Sequence, residues 1–327
     1  MKLDWTLTDF DREIWAEELE DFVPQKVFDA HAHLWDDSAA GTHDNPQYGM
    51  RLDVDHEVIR DWNARCFPNR KLGFLLLPTP LPGADVEMHN EFMGAEIAKS
   101  DLKLGSALVT PALTPEKLAE SIKKYHFVGL KPYRLFAEDP DLCRITDYLT
   151  EPQIEVANEF SLAVTLHLSR PEAIADPDNL NDLRYLSGRY PKVRWVLAHC
   201  ARAFNSYLME KAIFQLRDIP NIWYDTSAVC DLRSHYLLFK HENFDRLMFG
   251  SDNVAAGGDH GKYTSYGHGW TFYGQAPASR MCNTGTTMVV YEQLRAQKHA
   301  AEMAGLNEAD IRKLFWGNAA RFFGFAE

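Results

Sequence analysis

The residues of this chain best equipped for chemistry are four histidines, an aspartate and a lysine, and all of them sit at or just beyond the ends of short apolar runs. His31 and His33 flank Ala32 where KVFDAH ends, His167 closes LAVTLH, His199 closes VRWVLAH, and Asp252 follows RLMFGS. Residues two apart on a strand point to the same side, so the imidazoles of His31 and His33 can reach one point. Imidazole nitrogens and carboxylate oxygens hold divalent zinc-type ions, and they also move protons near neutral pH. One histidine at the end of an apolar run is ordinarily a hydrogen-bonded structural residue. Four histidines and an aspartate, all at the C-terminal ends of candidate strands, point instead to a shared metal or catalytic site. Lys131 ends another run, in GLKP. It reads first as an ammonium that binds substrate or pairs with a carboxylate, and second as a carbamylated lysine bridging two metals. Arg134, Arg170 and Arg202 lie just past run ends. They could grip a substrate carboxylate through paired N–H donors, or serve as surface or helix-start arginines. Tyr133, His260, His268 and Trp270 are further candidates for a pocket wall.

Such residues meet only if the elements bring the run ends together. Eight runs bounded by turn residues read as strands: 26–31, 72–77, 103–109, 128–131, 162–167, 193–199, 222–225 and 246–250. Several are almost continuously apolar, as parallel strands buried on both faces must be. Helical patterns lie between them. Val54, Val58, Ile59 and Trp62 recur at helical spacing within 53–66, and Thr114 precedes Pro115 as an N-cap before a first-turn proline. Further helices are expected over 202–216, 231–239 and 289–304. Eight successive strand–helix units predict an α/β fold, a closed (β/α)8 TIM barrel, whose C-terminal strand ends converge on one mouth. An open doubly wound sheet would call for a GxGxxG or P-loop sequence after a strand, and neither occurs. Residues 1–25 form an acidic, aromatic-bearing helical extension ahead of a barrel over 26–327. Residues 253–285, rich in Gly, Tyr and His, predict a long loop after the eighth strand.

Composition narrows the partners. The 327 residues carry 34 Lys and Arg against 47 Asp and Glu, a net charge of −13, which argues against nucleic acid as a partner. A local arginine cluster can still bind an anionic small molecule. Five scattered cysteines without a CxxC pair read as reduced thiols in a cytoplasmic protein. MKLDWTLTDFDREIW has no apolar core of the signal-peptide kind, and no apolar run is long enough to span a membrane.

FDAHAH, GLKPY, TLHLS, LAHCAR, LMFGSDN and WGNAARFF, in this order from about residue 26 onward, resemble the amidohydrolase superfamily, specifically its amidohydrolase-related TIM-barrel branch. The resemblance implies a divalent metal, Zn2+ before Mn2+ and one ion rather than two, held by His31, His33, His167 and Asp252. Lys131 and His199 would hold a second metal. Asp252 would take a proton from metal-activated water and pass it to the leaving group, and His199 would polarise the substrate. Asn318 and Ala319 would be structural. The implied activity is hydrolysis of an amide, lactone or similar carbonyl-centred bond in a small, carboxylate-bearing molecule, with Lys131, Tyr133, Arg134, Arg170 and Arg202 contacting it. The alternatives are a metal-dependent, non-oxidative decarboxylase of an aromatic or muconate-like acid, a metal-independent lactonase, and a binding protein without catalysis. Homodimers are common among such barrels.

Overall fold

Every apolar run that ends in a candidate site residue folds as a strand of one parallel barrel. The structure is a computed structural model that describes residues 6–36, 53–79, 83–274 and 285–326. Its strands are β1 (Lys26–Leu34), β2 (Lys71–Pro78), β3 (Ser106–Val109), β4 (Gly129–Pro132), β5 (Ala163–Leu166), β6 (Arg194–Leu197), β7 (Ile222–Asp225) and β8 (Leu247–Met248). β1 and β2 form one parallel ladder, and β3 to β8 follow one another in a second. Backbone hydrogen bonds close both seams. Leu76 N–H donates to Leu104 C=O at 3.0 Å on the β2–β3 side. On the other side Ala30 donates to Phe249 at 2.9 Å, Asp252 to His31 at 2.9 Å and His33 to Asn253 at 2.8 Å. The result is the expected (β/α)8 barrel.

Local sequence explains the helices between the strands. Asp55, Thr114, Asn205 and Asp231 each cap a helix by accepting a backbone N–H, at the starts of His56–Cys66, Pro115–Tyr125, Ser206–Leu216 and Leu232–His241. Val289–Ala304 ends where Gly305 turns left-handed at φ 74°. The closing segment also behaves as expected of a structural piece, because Asn318 Nδ2 donates to the carbonyls of Phe244 and Leu247, both at 2.8 Å. Phe28, Leu75, Leu77, Val196 and Met248 of the strands pack with Trp316 and Phe322 of the closing segment in a single apolar cluster.

The strands differ from expectation at their ends. The third starts at Ser106 and not at 103, after Lys103 turns with φ 51°. The sixth stops at Leu197, and the eighth keeps only two residues. The N-terminal extension does fold as helix, Asp9–Ile14 running on through Trp15–Leu19, started by a capping box between Thr8 and Asp11. Trp15 packs against Phe67 and Tyr291, and the Arg295 fork grips Glu18 at 2.7 and 3.1 Å. The long loop expected over 253–285 is instead a structured insert over its described part. It holds a turn of helix, Ala255–Gly258, and an antiparallel hairpin of β9 (Lys262–Tyr266) and β10 (Gly269–Tyr273). The aromatic and threonine residues of KYTSY and GWTFY suit a strand pair, and Gly267 at φ 51° makes the two-residue turn. Residues 275–284, the remainder of that expected loop apart from 285, lie outside the described residues. So does Cys282, while Cys66, Cys143, Cys200 and Cys230 are buried free thiols. Among the described residues, no helix is long and apolar enough to cross a membrane.

Candidate metal centre and active site

His31, His33, Lys131, His199 and Asp252 meet at the C-terminal mouth of the barrel. His31 Nε2 lies 3.1 Å from His33 Nε2 and 3.1 Å from Lys131 Nζ. Asp252 Oδ1 stands 3.6 and 3.4 Å from the same two imidazole nitrogens. One ligand atom each from His31, His199 and Asp252 falls within 4.8 Å of the others.

The far side of each imidazole decides what its near side offers. His31 Nδ1 faces Asp225 Oδ2 at 2.9 Å, His33 Nδ1 faces the Pro78 carbonyl at 3.1 Å, His167 Nδ1 the Leu168 carbonyl at 3.2 Å, and His199 Nδ1 the Ser227 carbonyl at 3.1 Å. Carboxylates and carbonyls only accept, so every Nδ1 carries the proton and every Nε2 is left with a lone pair. Two such lone pairs 3.1 Å apart repel unless positive charge lies between or beside them. Two nitrogens on a tetrahedral zinc, each about 2.1 Å from it, would stand about 3.4 Å apart. The donor set therefore fits a divalent ion, and the buried Lys131 ammonium already directs charge at the His31 lone pair.

Buried partners fix these groups. Asp225 ends β7 and spends Oδ2 on His31, while Oδ1 accepts the backbone N–H of His199 and of Ser227, both at 3.1 Å, and the Ser227 hydroxyl. Asp29 accepts the backbone N–H of His31 at 3.0 Å and of Ser251 at 2.8 Å, together with the Ser251 hydroxyl. Gly250 leaves room for this approach, since a Cβ there would sit 2.9 Å from His31 Cβ. His199 lies beyond the strand it was expected to end. After Leu197 the chain makes a left-handed turn, with φ of 57°, 51°, 59° and 59° at His199, Cys200, Ala201 and Arg202. None is glycine, and left-handed backbone costs about 1–2 kcal/mol per such residue. The conformation is one that surrounding structure must impose, and it aims His199 inward.

Burial, and next the Lys131 charge, lower His31 to about 3, outweighing Asp225, so the ring is neutral. Burial likewise lowers His33, and lowers His167 further, with the charges of His199, Arg202, Arg134 and Lys131 adding to it. Burial pulls Lys131 down to about 8 against the attraction of Asp225 and Asp252. Burial would raise Asp252, but the imidazoles around it, His33 first, hold it below the usual carboxylate range whenever they carry positive charge. Asp29 is pushed up to about 7 by burial.

The structure brings together most of the expected residues. His167 stands one ring outward, edge-on to His199 with centroids 5.2 Å apart, so His199 and not His167 completes the tightest group. Tyr133 packs on His167 at 4.8 Å. Arg134 and Arg202 lie on the same side and both act on the His167 ring. Arg170 turns to Asp178 at 3.0 Å on the following helix. Trp270 stacks on Phe204 at 4.5 Å, and Phe204 on His199 at 5.5 Å, so the hairpin backs the site with aromatic rings. His268 stacks on Tyr207, and His260 bonds Asp11 in the N-terminal helix at 2.7 Å. Asp225, Asp29, Ser227 and Ser251 are the functional neighbours that sequence reasoning does not single out. Asp225 carries the same signal as the others, a polar residue closing an apolar run, IWYD.

The amidohydrolase family model matches residues 28–325. An L-fucono-1,5-lactonase from Burkholderia ambifaria is 25% identical over 244 residues, 71% of this chain and 79% of that protein. Among solved structures, a protein described as a 2-pyrone-4,6-dicarboxylic acid hydrolase from Pseudomonas putida superposes with a TM-score of 0.58 at 16% identity, covering 93% of this chain and 100% of that one. A 2,6-dihydroxybenzoate decarboxylase from Rhizobium gives 0.53 at 12% identity, covering 92% and 99%.

Proposed function

Because the chain belongs to the amidohydrolase family, we propose that it is a metal-dependent hydrolase that uses water to cleave an amide, lactone or similar carbonyl-centred bond in a small molecule. The observation that carries this reading is the set of imidazoles whose Nδ1 atoms are all committed to oxygen acceptors, presenting Nε2 lone pairs beside the Asp252 carboxylate. His31, His33, His199 and Asp252 would hold one divalent ion, Zn2+ before Mn2+. When bound, such an ion lowers the pKa of a water it holds from 15.7 towards about 7 and polarises the carbonyl under attack.

The rest is work for the chain's own groups. Asp252, held as a carboxylate, accepts the proton of the attacking water and returns it to the leaving group. His199 with its proton on Nδ1 has none to give from Nε2, which suits a ligand better than an oxyanion donor. Lys131, buried against the cluster with a mobile proton, donates to the oxygen that gains charge. Asp225 acts through His31, keeping its Nδ1 protonated and its Nε2 aimed.

Elemental analysis of protein purified without chelator tests the reading. We expect about one zinc or manganese per chain, lost in the His31→Ala, His33→Ala double variant. Asp252→Asn should keep most of the metal and lose at least about 100-fold in kcat on a responsive lactone or amide. Turnover that survives complete removal of metal, or full activity in Asp252→Asn, overturns it.

A further inference from the structure

We propose that the helical turn Ala255–Gly258, which opens the insert, is a backstop that sets where Asp252 points, with Gly257, Asn253 and Asn63 as positioning residues. This rests on the hydrolase reading for the work that Asp252 does, while the holding of its backbone is a matter of contacts alone.

Asp252 has a left-handed backbone, φ 61°, without being glycine, so surrounding structure must impose that conformation. The chain on both sides of it is pinned. The Ser251 N–H donates to Asp29 Oδ1 at 2.8 Å, and the Asp252 N–H to the His31 carbonyl at 2.9 Å. The Asn253 N–H donates to Ser251 Oγ at 2.9 Å, and the Asn253 carbonyl accepts the His33 N–H at 2.8 Å. From the insert, the Gly257 N–H donates to the Asp252 carbonyl at 2.9 Å. The last anchor lies outside the barrel. Asn253 Nδ2 donates to Asn63 Oδ1 at 2.9 Å, and Asn63 Nδ2 is held by the Ile59 carbonyl of its own helix, His56–Cys66, at 3.0 Å. Both of these amides are fully buried.

The backstop needs glycine at 257. A Cβ there would strike the Ser251 carbonyl, and it would stand 2.6 Å from Asn253 Oδ1 and 3.2 Å from the Asp252 carbonyl carbon. The backbone that carries the carboxylate would have to move. Asn253 Oδ1 shows how closely the turn is seated. It is buried against Gly257 and has no hydrogen-bond partner among the described residues, a cost accepted so that Nδ2 can reach Asn63. Gly258, the next residue of the same turn, gives the contrast. Its Cβ would come no nearer than 3.4 Å to the Trp62 ring, an ordinary contact. The Asp252 carboxylate stands 3.4 Å from His33 Nε2 and 3.6 Å from His31 Nε2, so a shift of this backbone changes its place relative to both.

Three single variants of the full chain test this: Gly257→Ala, Gly258→Ala and Asn63→Leu. The two alanines add the same methyl group to one turn and differ in what that methyl meets. We expect Gly258→Ala to match wild type. Gly257→Ala should speed hydrogen exchange at the amides of residues 251–253 and weaken Zn2+ about tenfold in competition with a fluorescent chelator. At saturating Zn2+ it should lower kcat, on a lactone or amide that the wild type cleaves, by about 10- to 100-fold, with KM changed by less than about threefold. Asn63→Leu, close to asparagine in size, should move the same readouts in the same direction, and it decides the matter if the alanine at 257 prevents folding. Equal behaviour of the two alanine variants, a fall in melting temperature with Zn2+ affinity and kcat unchanged, or an Asn63→Leu variant indistinguishable from wild type would each overturn the proposal. If no lactone or amide is cleaved, the hydrolase reading fails on its own, and the exchange and Zn2+ measurements still decide whether the turn holds Asp252.

Discussion

Asp225 never meets solvent, and both of its oxygens serve neighbours that face the centre. Asp225→Asn replaces an acceptor with an amide that can present N–H to His31 Nδ1, which would move the imidazole proton to Nε2 and remove its lone pair from the cluster. Metal affinity should then fall by about 10- to 100-fold, measured by competition against a fluorescent chelator, and unchanged affinity would show that the His31 orientation comes from packing. The contrast with Asp252 lies in burial. Asp252 keeps a partly exposed side chain toward the mouth, whereas Asp225 has none. Sequence makes Asp252 readable because it follows a strand and faces the chemistry. Asp225 is harder to read because its role passes through His31, a residue 194 positions away. The ligand set has the same limit, since strand ends place His167 and His199 alike, and only the folded turn after Leu197 separates them.

At the scale of elements, the N-terminal helix and the insert are tied by one buried polar contact. Asp11 is fully buried and accepts from His260 Nε2 at 2.7 Å, from the Met288 N–H at 3.2 Å, and from the backbone N–H and hydroxyl of Thr8, both at 2.7 Å. The Asp11 hydrogen bond raises His260, against burial, with the charges of Asp11 and Asp259 adding to the rise. Burial would raise Asp11, but His260 and Thr8 hold it below its ordinary 3.8. A raised histidine stabilises fully below its ordinary value of 6.5 and ceases to as pH climbs through the folded value. A lowered carboxylate stabilises above 3.8 and ceases to as pH drops through its folded value. The tether is therefore strongest near pH 5–6. Urea unfolding of wild type and His260→Ala should differ most there and less as the pH climbs above it, and a difference that grows with pH would exclude the tether. These elements also show what periodicity conveys. Apolar runs and caps place the strands and most helices, because buried faces and orphan N–H groups impose local rules. The left-handed turn at 199–202 breaks no run and holds no glycine, so VRWVLAH reads as strand to its last residue. The hairpin's signal is the aromatic and threonine content of KYTSY and GWTFY about a Gly-His turn, but the Gly and His of the segment read first as loop.

For the molecule as a whole, the extension is part of the fold. Ile14, Trp15, Leu19 and Val23 are buried, and Trp15 covers Phe67 and Tyr291. Aliphatic burial of this kind contributes about 1.5–3 kcal/mol per side chain, so losing three such residues and a tryptophan approaches the net stability of about 5–15 kcal/mol typical of a domain. Removing residues 1–24 should lower the melting temperature by more than about 10 °C or leave the protein insoluble, as seen by scanning calorimetry, and an unchanged melting temperature would make the extension dispensable. The seam between β1 and the segment after β8 has a further consequence, one of timing. His31 and His33 leave the ribosome early, but Asp252 and the carbonyls of Phe249 and Asn253 that hold β1 in place follow more than 200 residues later. At about 5–20 residues per second, that is a delay of roughly 10–45 s. Through that interval the nascent chain carries two exposed histidines and an unclosed sheet edge, so the proposed centre can take up an ion only after Asp252 has been made.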